Sequence, residues 1–155
     1  MAYFFRRGIS KYRFLPAVAN LAAPSRAEIT AGVDLSPEVA EVNGFQLSNS
    51  PIPRPNMAHR FTPQIPGEDT TADSSLTLDD DNASTATRTA LAKDTAGFLL
   101  LMPYGDVPTK RCEVWPVTVT GLNDQHTTDN TPARTVAGFV VTAVPQQNGV
   151  IPAAT

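Results

Sequence analysis

The chain has 155 residues, 41% hydrophobic and only 17% charged, with a formal net charge of −3. That length suits one domain burying roughly 70% of the surface its unfolded chain exposes, and the acidic balance argues against a protein that grips nucleic-acid phosphates, which carries a basic stripe. A lone cysteine, Cys112, excludes a framework of intrachain disulfides, and no run approaches the ~18 apolar residues of a membrane span.

Residues 1–24 read as an extended N-terminal arm. Arg6, Arg7, Lys11 and Arg13 lie there among Tyr3, Phe4, Phe5, Tyr12 and Phe14. Basic residues interleaved with aromatics can hold a nucleic-acid single strand. Beside an acidic remainder they better fit an arm docking on a neighbouring subunit. Tyr12–Val18 predicts a strand that Pro16 confines to an edge or to exchange between chains. Arg6-Arg7 does not open an export signal, because Lys11, Arg13, Pro16 and Asn20 interrupt the apolar stretch that follows. Ser25-Arg26-Ala27-Glu28 is a capping box preceded by Pro24, and with Gly32 as a stop it predicts a helix over 26–31. Val39–Leu47 predicts a strand broken at Asn43-Gly44, as a type I′ hairpin turn or a bulge.

Residues 48–72 hold Pro51, Pro53, Pro55, Pro63 and Pro66 and few large apolar side chains. A structureless stretch of that length is uncommon inside a compact domain. It reads as a projecting loop arm over about 46–72, with Arg60–Ile65 as a short edge strand inside it. Ser74–Asp79 predicts a strand. Asn82–Lys93 predicts the one packed helix: Asp79, Asp80 and Asp81 suit its positive end, and Ala83, Ala86, Thr87, Ala90 and Leu91 share a face. Three more strands follow, at Gly97–Pro103, Lys110–Thr120 and Arg134–Val144, with turns at Gly105-Asp106 and Asn123-Asp124. Residues 146–155 remain as a C-terminal tail.

These last strands are apolar on both faces. Phe98–Met102 does not alternate at all. Thr135–Val144 carries Ala137, Phe139, Val141 and Ala143 on one side and Val136, Val140 and Val144 on the other. Antiparallel strands with one wet face alternate, so a helix or another subunit must cover the second face. The expected class is mainly β (all-β to α+β). Its architecture is an antiparallel sandwich or barrel-like fold with one packed helix, in a single domain over 1–155 whose core spans 25–145.

No pattern in the sequence carries catalysis. His59 and His126 lie far apart in loop-like segments, without the spacing that sets two ligands on one helix face. There is no G-x-S-x-G elbow and no G-x-G loop. Glu68, Asp69, Asp73, Asp79, Asp80 and Asp81 form the one acidic cluster. A calcium loop begun at Asp79 would need glycine at its sixth position and glutamate at its twelfth, where Ser84 and Ala90 stand. No catalytic residue, cofactor or metal is expected.

Several segments carry a family likeness. They are Phe14-Leu15-Pro16-Ala17-Val18-Ala19-Asn20, Arg26-Ala27-Glu28-Ile29, Thr89-Ala90-Leu91-Ala92-Lys93, Met102-Pro103-Tyr104-Gly105-Asp106, Arg111-Cys112-Glu113-Val114-Trp115-Pro116-Val117, Pro132-Ala133-Arg134, Phe139 and Val150-Ile151-Pro152. Together they resemble the major tail tube protein of long-tailed (siphovirus-type) bacteriophages of actinobacteria, over nearly the whole chain. The resemblance implies a structural virion protein and no enzyme. It implies homohexameric rings whose sheets join into an inner barrel, and which stack into a hollow tail tube for genome ejection. The implied partners are further copies of the chain, a tape measure protein and tail tip or terminator proteins. DNA would pass through without specific binding, and no membrane is involved. The implied location is the virion tail, after synthesis and assembly in the host bacterial cytoplasm.

On that resemblance Tyr3, Phe4, Phe5, Phe61, Val150 and Ile151 are candidate subunit-interface residues. Asp106, Glu113, Asp124 and Asp129 are candidate lumen-facing carboxylates that would repel DNA, with Asp79–Asp81 as the other option. Two rival classes stay open. One is a capsid decoration or head–tail joining protein. The other is an immunoglobulin-like binding module, against which the missing Cys…Trp…Cys spacing stands.

Overall fold

The computed structural model describes residues 1–153. In chain order it contains β1 (Lys11–Leu15), α1 (Arg26–Ala31), β2 (Val33–Asp34), β3 (Val39–Asn43), β4 (Leu47–Pro53), β5 (Gln64–Thr71), β6 (Ser74–Asp79), α2 (Ala86–Ala90), β7 (Ala96–Met102), β8 (Arg111–Gln125), β9 (Arg134–Val141) and β10 (Gln146–Val150). The helices have only 6 and 5 residues, so the fold is mainly β, as expected. Eight strands form one antiparallel sheet in the order β2-β1-β7-β8-β9-β6-β3, with β10 paired to the first residues of β8 and β9 to the rest.

This sheet curls nearly closed, and chain length dictates it. The outermost strands, β2 and β3, are joined by residues 35–38 alone. Asp34 to Val39 spans at most about 18 Å, while the outer strands of a flat seven-strand path would lie about 29 Å apart at ~4.8 Å per step. Curling brings them together. The Leu35 N–H then donates to the Tyr12 carbonyl at 3.0 Å, and the Val39 N–H to the Leu35 carbonyl at 3.0 Å. Phe14, Phe45, Leu76, Leu99, Trp115 and Phe139 fill the enclosed core with other apolar residues. The barrel-like architecture has this physical origin.

The missing alternation of β7 is also explained. Leu99 and Leu101 face the enclosed core, while Leu100 and Met102 face the other side and join Leu15, Ile29, Cys112, Val114 and Ile151 in a smaller second core. Its cover comes from within the chain, from α1, the segment after β1 and the C-terminal segment. At β9 the second face stays open: Val140 is 52% exposed, and Val144, just past the strand, is 79% exposed. In α1 the Ser25 side chain accepts from the Glu28 N–H at 3.2 Å, one half of the capping box. The Glu28 carboxylate turns instead to the Ala19 N–H at 3.3 Å and ties down the segment before the helix.

Other expectations change. The N-terminal arm is shorter than residues 1–24, because Lys11–Leu15 is a strand held between β2 and β7; Pro16 lies just past its end. In the expected tail, Gln146–Val150 is a strand paired with β8, and residues 154–155 lie outside the described residues. The helix expected over Asn82–Lys93 shrinks to α2. Asp81 accepts from the Ala83 N–H at 2.8 Å, a local turn that competes with the first helical turn. Thr85, Thr87 and Thr89 are β-branched and stiff, and Leu91 leaves helical geometry at φ −101° and ψ 31°. Thr87 and Leu91 are nonetheless buried.

The largest change concerns the loop arm. Residues 47–71 form a two-stranded antiparallel ribbon, β4 with β5, separate from the main sheet. Pro51 sits at the register shift between Ser50 and Ile52, a place that tolerates a residue with no N–H. Asn43-Gly44 marks the point where the chain leaves the main sheet, not a hairpin turn. Gly44 (φ +79°) and Phe45 (φ 56°) are both left-handed. A Cβ on Gly44 would strike the Asp73 carbonyl oxygen. Phe45 bears the unfavourable backbone because its ring is buried at the root of the ribbon, 5.7 Å from Trp115 and 5.9 Å from Phe139 between centroids. Its N–H donates to Ser74 Oγ at 3.0 Å.

Candidate functional site

The ribbon is exposed along almost its whole length. Every residue of β4 is exposed, and in β5 only Gly67 and Thr71 are partly covered. It is ordered from within. Asn49 Nδ2 donates to the Gly67 carbonyl at 2.9 Å, and the Gly67 N–H donates back to Asn49 Oδ1 at 3.0 Å. The Arg54 N–H closes the 54–63 loop on the Pro63 carbonyl at 2.8 Å. Asn56 Oδ1 accepts from the N–H groups of Ala58 and His59 and shapes the tip. A two-stranded hairpin alone is marginal in water. This one also shows Leu47 and the cross-strand pair Ile52 and Ile65 to solvent, with Met57 and Phe61 at its tip. Phe61 was singled out by the family resemblance; Leu47, Ile52, Met57 and Ile65 were not singled out, because a ribbon without a buried face leaves no alternation to read.

Charge is distributed along the strands that carry the ribbon. Its tip holds Arg54, His59 and Arg60, and no acidic residue occurs between Glu41 and Glu68. The ribbon leaves β3 after Asn43 and re-enters β6 at Ser74; Glu38 and Asp79–Asp81 lie at the other end of these two paired strands. There the Asp79 N–H donates to the Glu38 carbonyl at 2.7 Å. Glu38, Asp79, Asp80 and Asp81 rim a shallow cleft floored by Leu78 and Leu122. Asp79 is paired with Arg134 at 3.2 Å, while Asp80 and Asp81 are exposed and have no ion-pair partner among the described residues.

The N-terminal segment before β1 folds back on the turn after β7. Phe4 stacks on Tyr104 at 5.3 Å, with the Arg6 guanidinium 5.6 Å above Phe4 and that of Arg111 5.9 Å from Tyr104. Ser10 Oγ donates to the Pro103 carbonyl at 2.7 Å. Tyr3 and Phe5 stay open, at 87% and 73% exposure. Val150 is half-exposed, but Ile151 is only 1% exposed and belongs to the smaller core. Ile151 is therefore no surface anchor, because the C-terminal segment packs back on its own chain.

The four candidate lumen carboxylates do not gather at one place. Asp106, in the turn after β7, takes two hydrogen bonds from Arg26 Nη1, at 3.0 and 2.8 Å. Glu113 lies 3.7 Å from Arg111. Asp124, near the far end of β8, accepts from Arg88 at 3.0 Å and from Thr135 Oγ1 at 3.0 Å; these bonds hold its pKa below the usual carboxylate value. Asp129 lies in the exposed segment between β8 and β9 and has no ion-pair partner among the described residues. Three of the four thus sit beside an arginine, which weakens any field they project.

The remaining chemistry is quiet. Burial, with Glu113 adding to it, pushes the Cys112 thiol up to about 11, far from a reactive thiolate. Among the described residues no three His, Cys, Asp or Glu side chains converge to hold a metal, and no helix is long and apolar enough to cross a membrane.

Comparison with known proteins points one way. A model of the phage tail tube protein family matches residues 1–154. Among solved structures, the chain is similar to one in the six-fold symmetrised baseplate of the anti-feeding prophage, with a TM-score of 0.63 and 10% identity, covering 97% of each chain. It is also similar to one in the PVC sheath/tube terminator, in the extended state, of an extracellular contractile injection system. That match has a TM-score of 0.63 and 11% identity, and covers 94% of this chain and 98% of that one. At such identities the likeness establishes a shared fold. No curated protein matches.

Proposed function

The chain belongs to the phage tail tube protein family, and from that premise we propose that its copies join, six to a ring, into stacked rings that form the conduit for genome ejection. A structural role in the bacteriophage tail follows from the family itself. The observation that carries self-assembly is the β4–β5 ribbon, an ordered but solvent-surrounded pair of strands with apolar side chains and no packing partner among the described residues. Tyr3, Phe4, Phe5, Phe61 and Val150 serve as subunit contacts, joined by Met57 and by Ile52 with Ile65. Ring symmetry follows the family resemblance and the six-fold symmetrised assembly that holds a chain of similar fold.

In this reading residues 1–155 act as one domain, with further copies, a tape measure protein and tip or terminator proteins as partners. Assembly takes place in the host bacterial cytoplasm. DNA passes without specific binding, repelled by Asp129 and by whatever charge Asp106, Glu113 and Asp124 keep beside their arginines. The test is negative-stain electron microscopy of the purified, untagged chain at rising concentration. Hollow tubes or stacked rings with a central hole are expected. Closed trimers or single unstacked rings would indicate a decoration or joining protein, and a persistent monomer would put the binding-module reading first until ring formation is tested on virions.

A further inference from the structure

Given that copies of the chain assemble, as proposed above, we infer that the tip of the β4–β5 ribbon docks on the Glu38/Asp79–Asp81 end of the next copy, an oriented head-to-tail contact. The ribbon is an unpartnered two-stranded sheet, and its tip joins an apolar patch to a positive charge: Met57 and Phe61 beside Arg54 and Arg60. Neither arginine has an ion-pair partner among the described residues. At the other end of β3 and β6 the balance is reversed. Arg134 offsets Asp79, and Arg88 is engaged by Asp124. Glu38, Asp80 and Asp81 are left as surplus negative charge around an apolar floor of Leu78 and Leu122.

The two surfaces are complementary, yet they sit at opposite ends of the same strand pair, so one copy cannot satisfy its own tip within its own sheet. A contact between different patches of identical chains either closes into a ring or propagates as an open series, and the open form is the one that stacking along a tube axis requires. The enclosed part of the cleft is only ≈ 20 Å³, about the space for a single water. The contact is therefore made at the charged rim, with Met57 and Phe61 lying across the floor. Rim charges act on rate, register and salt dependence. Assembly should accordingly weaken as salt rises from about 0.1 to 1 M and the screening length falls from about 10 to 3 Å.

The experiment uses the full chain in three forms. Arg54→Glu with Arg60→Glu, and separately Asp80→Lys with Asp81→Lys, should each raise the concentration at which tubes appear roughly tenfold. All four substitutions together should restore it to within about threefold of the natural chain. In parallel, a chain carrying Arg60→Cys mixed with one carrying Asp80→Cys should form a disulfide-linked dimer that neither forms alone; buried Cys112 takes no part. Tubes that tolerate both reversals, or reversals that combine without rescue and give no mixed cross-link, overturn the docking assignment and leave the tail tube reading intact. If the natural chain forms no tubes at any concentration and the mixed cysteine variants give no cross-link, both the docking assignment and unaided self-assembly are overturned.

Discussion

Gly44 holds the root of the ribbon, and the constraint on it is steric. Its φ is +79°, and a Cβ there would meet the backbone of Asp73 and Ser74, which has no rotamer by which to retreat. Gly44→Ala should therefore cost roughly 2 kcal/mol or more in urea unfolding. A loss under about 0.5 kcal/mol would show that the root relaxes freely. Cys112 supplies a second test, through pH. Its folded pKa of about 11 lies above the ordinary thiol value of 9.0, so the folded state holds the thiol proton more tightly. The associated stability is complete below pH 9 and is lost as pH rises through about 11, by roughly 2–3 kcal/mol. Cys112→Ala should be less stable at pH 8 but lack this alkaline component. Equal losses in both chains between pH 8 and 11 would show that Cys112 does not carry the alkaline loss.

At the scale of elements, the ribbon is expected to be separable. None of its residues belongs to either core, so replacing residues 50–66 by a short glycine-serine turn should leave unfolding within about 1 kcal/mol of the natural chain while abolishing tubes. Full-length tubes from that variant would show that the ribbon is not an assembly element. The sequence made some elements readable and hid others for physical reasons. The Ser25 cap and the three late strands were legible because their signals are local, a side chain three residues from its N–H or a run of β-branched and apolar residues. The ribbon was not legible, since a strand pair with two wet faces carries no hydrophobic period, and its prolines resemble those of a loop. α2 misled in the opposite sense: spaced alanines imitate a helical face that the threonines and the Asp81 turn cut short. Of the candidate site, Tyr3, Phe5 and Phe61 were singled out by the family resemblance, and their exposure came only with the fold. The arginine partners of Asp106 and Asp124 come from 80 and 36 positions away, where no local spacing reaches.

For the whole molecule, the doubly apolar strands divide into a part the chain covers itself and a part it leaves to others. Behind β7 the smaller core is closed by α1 and the C-terminal segment, so Leu100→Ala should cost about 2–5 kcal/mol of folding stability. Behind β9, Val140 looks outward at 52% exposure beside Thr118 of β8, on a wall the closed sheet does not fold over. If a neighbouring copy lies against this wall, Val140→Asp should change unfolding by no more than about 0.5 kcal/mol and still raise the assembly concentration several-fold, because a charge would be buried unpaired at the contact. Urea unfolding reads the stability of the two variants and sedimentation reads their assembly concentration, each against the natural chain. Should Val140→Asp assemble at the natural concentration, the wall faces solvent or the lumen, and the contacts between copies must be carried by the ribbon and the N-terminal aromatics instead. Should it fail to fold, the second face of β9 is covered in the monomer, as the second face of β7 is.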